Sequence, residues 1–165
     1  MKQTRVRHQT KNTYNAEFHS HICKNEEICN PHFHKNFEVI VAIKGISRIT
    51  VAGRSYELKE GQAAFIMPFQ VHSFHVNEGA QIRCTTFKEA LILTLSRVLD
   101  GSIPESPIYT PSAETLSYFC GQCLLLFGDD SGMLERINPP AKRLKVKGIL
   151  YSLESEFLEQ TAFHK

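Results

Sequence analysis

The sequence predicts an α+β fold, mostly β, in which a barrel of short strands comes first and helices follow. Three observations carry that expectation. Residues 37–87 break into short apolar and β-branched runs separated by Gly, Pro and Asn, the pattern of a sandwich or barrel. After Phe87 this pattern stops. Beyond Pro111 apolar residues recur at helical spacing between recognisable start and stop signals.

Taken in order, residues 1–14 hold Lys2, Arg5, Arg7, His8 and Lys11 with no acidic residue, and are expected to be a basic, flexible tail. Residues 15–100 are assigned to the barrel and 101–165 to a helical element. Phe37-Glu-Val-Ile-Val-Ala-Ile-Lys44 is almost continuously apolar, as expected for a strand buried on both faces. Gly45 punctuates it, Ile46-Ser-Arg-Ile-Thr-Val51 follows, and Ala52-Gly-Arg-Ser55 is a turn. Further strands are expected at 55–58, 62–67, 72–77 and 80–87, with breaks at Gly61, Pro68 and Asn77-Glu-Gly79. Residues 88–99 fit a short helix or an irregular apolar segment equally well. The three prolines between Gly101 and Pro111 mark a connector. Ser112 is placed to cap a helix that Gly128 ends, and Asn138-Pro-Pro140 opens a second helix running to about Gln160.

At 165 residues and 42% hydrophobic content the chain has enough material for a real core. Its formal charge of +2 gives no global signal for polyanion binding. No apolar run approaches membrane-spanning length and no signal-peptide stretch opens the chain, so a cytoplasmic protein with no membrane partner is expected. The five cysteines are odd in number and not spaced as a disulfide framework. Cys120 and Cys123 form a C-x-x-C pair, but Leu116, Phe119, Cys120, Cys123, Leu124 and Phe127 share one helical stripe. Packing in a core is therefore preferred to redox or zinc chemistry for that pair.

The stretch Pro31-His-Phe-His-Lys-Asn-Phe-Glu38 carries the most chemistry. In an extended chain alternate side chains share a face, so His32 and His34 aim together and Glu38 keeps their parity. His72 arrives from a distant strand. Three imidazoles and a carboxylate can hold a divalent first-row metal, zinc, nickel, iron or manganese, with open positions for water or a small ligand. The same four residues can instead serve as polar groups of a metal-free pocket. Strand parity adds Arg48 with Thr50 on one face, an arginine suited to an anionic effector or to solvent alike. Phe65 and Phe74 are candidates for the apolar wall, while His75 has the opposite parity from His72 and should face outward.

These residues resemble the two motifs of the cupin superfamily, which implies a jelly-roll-like barrel. His32, His34, Glu38 and Gly45 match the spacing of the first motif; Gly61, Pro68 and His72 follow the order of the second, without the glycine usual between Pro and His. Gly61-Gln-Ala-Ala-Phe-Ile-Met-Pro-Phe-Gln-Val-His-Ser-Phe74 and His34-Lys-Asn-Phe-Glu-Val-Ile40 are more narrowly similar to the ligand-binding domain of AraC-type bacterial transcription regulators. The resemblance covers roughly residues 18–163 and is strongest over 31–88. It implies a barrel that binds a small effector through His32, His34, Glu38, Arg48, Phe65, His72 and Phe74, helices that dimerise, and a C-terminal helix-turn-helix pair that contacts DNA. The chain ends at Lys165 without that pair, so a fragment of a longer regulator is expected. A metal-dependent cupin enzyme, a dioxygenase or isomerase, is the alternative.

The last helix shows two apolar stripes. Val146, Ile149, Leu150, Leu153 and Phe157 form one, and Leu144, Tyr151 and Leu158 repeat every seven residues as another. The second is expected to make a further contact, with the preceding helix or with a second copy of the chain. Lys142, Arg143, Lys145 and Lys147 precede Glu154, Glu156 and Glu159, so an antiparallel partner places opposite charges together. That arrangement predicts an antiparallel homodimer.

Overall fold

The computed structural model describes residues 6–8, 16–128, 131–134 and 139–165, the backbone alone for 131–134. The remainder of the basic segment 1–14, including Lys2, Arg5 and Lys11, lies outside the described residues. Nine strands come first: β1 (Arg7–His8), β2 (Phe18–Lys24), β3 (Ile28–Phe33), β4 (Phe37–Lys44), β5 (Ile46–Val51), β6 (Arg54–Lys59), β7 (Ala63–Ile66), β8 (His72–Val76) and β9 (Gln81–Phe87). There follow a 3₁₀ turn (Glu89–Leu91), α1 (Leu93–Val98), β10 (Ile103–Pro104), β11 (Ile108–Tyr109), α2 (Ala113–Phe127), β12 (Ser131–Leu134), α3 (Pro140–Gln160) and β13 (Phe163–His164). Residues 88–99, compatible with helix or irregular chain, thus split into the 3₁₀ turn and α1, which bury Leu91, Ile92, Leu95 and Leu99.

The barrel is hydrogen-bonded as two sheets, one in the order β1-β3-β8-β5-β6 and the other β11-β7-β4-β9-β2-β12. Between them lies one core, to which the first sheet gives Ile49, Leu58 and Val76 and the second Ile40, Ile66 and Ile82. The opposite face of the six-stranded sheet carries Phe37, Val39, Val41, Phe65 and Phe87 against Phe119, Val146, Ile149, Leu150, Leu153 and Phe157 of the helices. β4 is therefore covered on both faces, which is why its sequence is apolar without alternation.

Local chemistry sets the element ends. Gly45 sits at φ +69°, and a Cβ there would stand 3.2 Å from the Cα and Cβ of Ala80. Both the backbone and the neighbouring turn thus require glycine between β4 and β5. The Ser112 side chain accepts from the Thr115 amide to start α2, and Gly128 ends it at φ +81°. Pro140 opens α3 at a position that needs no amide proton. The segment after residue 100 also contributes edges to the barrel: β11 pairs with β7 and β12 with β2. No helix among the described residues is long and apolar enough to cross a membrane.

All five cysteines are free. Cys123 is buried under α2 and Cys120 packs against the same core. Burial pushes the Cys123 thiol up to about 11 and raises that of Cys120 as well. Burial thus disfavours the thiolate at both positions, in keeping with core packing of the C-x-x-C pair.

Candidate functional site

β3 and β8 bring two of the histidines together directly, since His32 and His72 are register partners. A register shift between Cys29 and His32 turns the end of β3 toward the interior. His34 lies just beyond β3, and Glu38 is the second residue of β4. All four are buried, and their ligand atoms lie within 4.8 Å of one another. The imidazole centroids are 4.2 Å apart for His32 and His72, and 5.0 Å apart for His34 and His72.

Each ring is anchored by its own backbone. Nδ1 of His32 donates to the Asn30 carbonyl at 2.9 Å, Nδ1 of His34 to Asn36 at 3.0 Å, and Nδ1 of His72 to Gln70 at 2.8 Å. A carbonyl only accepts, so each Nδ1 carries the proton and each Nε2 is left to face the centre. There, Nε2 of His34 stands 2.9 Å and Nε2 of His72 3.1 Å from the same oxygen, Oε2 of Glu38. Neutral Nε2 and a carboxylate are both acceptors, so something positive must lie between them.

Protonation is one answer, and the electrostatics agree with it. Burial alone would raise the Glu38 carboxyl, but His34 and His72 outweigh it and hold the carboxyl well below the usual carboxylate range. Burial alone would lower His72, but the hydrogen bond and charge of Glu38 outweigh it, and its value rises. Burial and then the charge of His72 push His32 down. A divalent cation is the other answer. It would replace the imidazolium protons, and backbone carbonyls holding Nδ1–H are the usual support for histidine metal ligands. The donor set therefore fits a zinc, nickel, iron or manganese ion, with three imidazoles and a carboxylate and room in the coordination sphere for a ligand.

The other expected pocket residues divide. Phe74 lies in the interior core beside the cluster. Phe65 does not meet it: it points to the helix side, with its ring 4.6 Å from that of Phe157. β7 is buried at every residue, so its alternation carried no sign of which face was inward. Arg48 is exposed on the outer face of β5. With Thr50, Ser73 and His75 it lines a shallow external groove of about 180 Å³, so Arg48 is outside the interior and His75 faces outward with it. A larger groove of about 620 Å³ opens at the rim. It includes Gln70, whose carbonyl holds His72, and Val51, the register partner of His72.

Two interior histidines went unnoticed in the sequence. β2 directs Phe18 and Ser20 to the helix side and His19 and His21 inward, where they face Thr86 and Cys84 of β9. Their rings are 4.9 Å apart, and both lie close enough to Glu38 to feel its charge. The period-two alternation of Phe18-His-Ser-His-Ile-Cys23 was the available signal.

The expected dimer stripe on α3 also divides. Leu144 is 67% exposed, but Leu158 packs against the helix-side core and Tyr151 is half-buried. The charges are rearranged too. Glu154 is buried, and Glu156 accepts from Ser112 and Thr115 at the start of α2. Arg143 reaches Glu17 at 3.2 Å. Two of the three acids that suggested an antiparallel partner are thus engaged or buried within the chain.

A model of the AraC-like ligand binding domain family matches residues 15–123. Among solved structures, an apo variant of ToxT from Vibrio cholerae shares the fold at TM-score 0.55 with 14% identity, covering 86% of this chain and 56% of that one. A conserved Streptococcus pyogenes protein of unknown function aligns at TM-score 0.38 and 18% identity, over 41% of this chain and 59% of its own. An RmlC-like cupin from Shewanella frigidimarina aligns at TM-score 0.39 and 20% identity, over 44% and 67%. The chain thus spans a little over half the length of the first and of the Vibrio protein. No curated protein sequence matches it.

Proposed function

This chain belongs to the AraC-like ligand binding domain family, and on that premise we propose that it is the effector-sensing and dimerisation part of a cytoplasmic AraC-type transcription regulator. The observation that carries the site assignment is the common orientation of His32, His34 and His72. Each is held at Nδ1 by a backbone carbonyl so that the three rings and Glu38 face one point. We take that point as the place where the effector is bound; the same residues would hold a divalent metal there, which would supply open coordination positions for it.

Chelator-treated protein titrated with Zn(II), Ni(II), Fe(II) and Mn(II) while its melting is followed tests the metal. Saturation at a hundred times Kd stabilises by about 2.7 kcal/mol, a rise in Tm of about 5–11 °C for a domain of this size. His72→Ala should weaken that affinity by more than about 100-fold, since loss of an outer-shell partner alone costs about 10–100-fold. No shift with any of the four ions would remove the metal and leave a polar effector pocket. The enzymatic alternative makes a separate demand, turnover with stoichiometric iron or manganese.

A second copy is proposed to pack on the helices. Leu125 of α2 is 77% exposed and Leu144 of α3 is 67% exposed, and Tyr118 and Leu124 add to the apolar surface of α2. Tyr118 lies against α3, with its hydroxyl 3.5 Å from where a Cβ on Gly148 would stand. This helical face supports association, with α3 antiparallel to its counterpart as the proposed orientation.

A further inference from the structure

A second cluster of metal-ligating groups lies inside the barrel and is not used by the site above. His21 and Cys23 are inward residues of β2, and Cys84 is the β9 residue opposite His21. One nitrogen of His21, Sγ of Cys23 and Sγ of Cys84 all lie within 4.8 Å of one another. Both thiols are free and buried. Nδ1 of His21 is buried, and the imidazole interacts with the Cys23 thiol.

We propose that His21, Cys23 and Cys84 form a separate site for a thiophilic d10 metal ion, zinc(II) being the ion argued for. Two thiolates and an imidazole are the donors such an ion prefers. Sulfurs bound at about 2.3 Å stand about 3.8 Å apart on a tetrahedral ion. Here the two Sγ atoms are 3.9 Å apart, so an ion fits between them with little movement. A disulfide would need them at about 2.05 Å. Two buried thiols alone could pack as small apolar groups; the partly buried imidazole beside them supplies a nitrogen donor that a packed thiol pair does not need.

The chemistry is balanced by protons. Binding displaces the Cys23 and Cys84 protons to solvent and places two thiolates and a neutral imidazole on the ion. The fourth position is left for water or an incoming ligand. The site differs in kind from the one at Glu38: that cluster offers nitrogen and oxygen, this one mainly sulfur. Thr86, opposite Glu38 in β4, is two residues along β9 from Cys84, so both clusters face the same interior. The proposal stands whether or not the histidine–glutamate cluster takes a metal.

Cobalt(II) titration of the full chain under reducing, anaerobic conditions is the test. Thiolate ligation gives an intense near-ultraviolet charge-transfer band that nitrogen and oxygen ligands do not. The band is expected in the parent protein, displaced by zinc(II), lost in Cys23→Ser and in Cys84→Ser, and retained in Cys29→Ser and His72→Ala. Cys29 is the necessary control because its Sγ lies 3.4 Å from Nδ1 of His32. Absence of the band in the parent overturns the proposal, whatever the variants do. So does a band that survives both serine substitutions, or one that disappears with Cys29→Ser or His72→Ala. Should a serine variant not fold, zinc-dependent protection of Cys23 and Cys84 from slow alkylation in the parent, read by mass spectrometry, replaces it; equal alkylation with and without zinc overturns the proposal.

Discussion

Glu154 shows how a single side chain can oppose the surface around it. It sits on the buried face of α3 among Leu150, Leu153 and Phe157, and neither carboxyl oxygen has a hydrogen-bond partner. Burial pushes its carboxyl well above the usual carboxylate range. Below about pH 4.5 the group is neutral in folded and unfolded chains alike and costs nothing through ionisation. As pH rises, the unfolded chain releases the proton while the folded chain retains it, so stability falls toward the raised value. Glu154→Met should therefore stabilise the protein by about 1–3 kcal/mol at pH 8, with the gain shrinking toward pH 4.5. Thermal melts of both proteins across that range check it, and an equal gain at every pH would contradict the ionisation argument. At the same scale, Glu38 is the opposite case: a buried carboxyl held ionised because two anchored imidazoles meet one of its oxygens.

At the scale of elements, β4 is where the site meets the helices. Glu38 faces the cluster, while Phe37 and Val39 on either side of it belong to the helix-side core. The Phe37 ring is 5.7 Å from Phe65, and Phe65 is 4.6 Å from Phe157 of α3. Further along, the Gln160 side chain both donates to and accepts from the backbone of Thr110, and Glu156 holds Ser112 and Thr115. α3 is thus held to the barrel through its apolar face, with the Phe65–Phe157 stack as its aromatic contact, and to the start of α2 through Glu156. Phe157→Ala should cost about 3–5 kcal/mol and be read in chemical denaturation as a lowered midpoint. If the stability is unchanged, the aromatic stack is not what holds α3. This geometry also gives ligand binding a short physical route to the helices, provided the ligand favours one helix arrangement over another.

For the whole molecule the open quantity is the number of chains. Tyr118, Leu124 and Leu125 of α2 and Leu144 of α3 are large apolar side chains left exposed, and the proposed second chain would cover them. Leu125→Glu combined with Leu144→Glu should convert a dimer to a monomer in sedimentation velocity at micromolar concentration, while melting stays near that of the parent. A parent that is monomeric at high micromolar concentration would sink the proposed dimer. The antiparallel orientation draws little from charge, because Glu154 is buried and Glu156 is engaged within the chain.

Much was legible in the sequence because it depended on neighbours along the chain. Strands at 37–44 and 46–51, the Ser112 cap, the Gly128 stop and the Pro140 start follow from local backbone preference and short-range periodicity. So does the convergence of His32, His34 and Glu38, which two-residue alternation and a short loop impose. Tertiary structure alone decided which face was inside. Phe65 and Phe74 are equally apolar, but two cores flank one sheet, and only the position of the helices assigns Phe65 to the outer one. It also decided that His19 and His21 look inward, that Glu154 is buried, and that Cys23 and Cys84, 61 residues apart in sequence, stand sulfur to sulfur. Alternation along a strand tells which side chains share a face; what covers that face is set by packing across the whole chain.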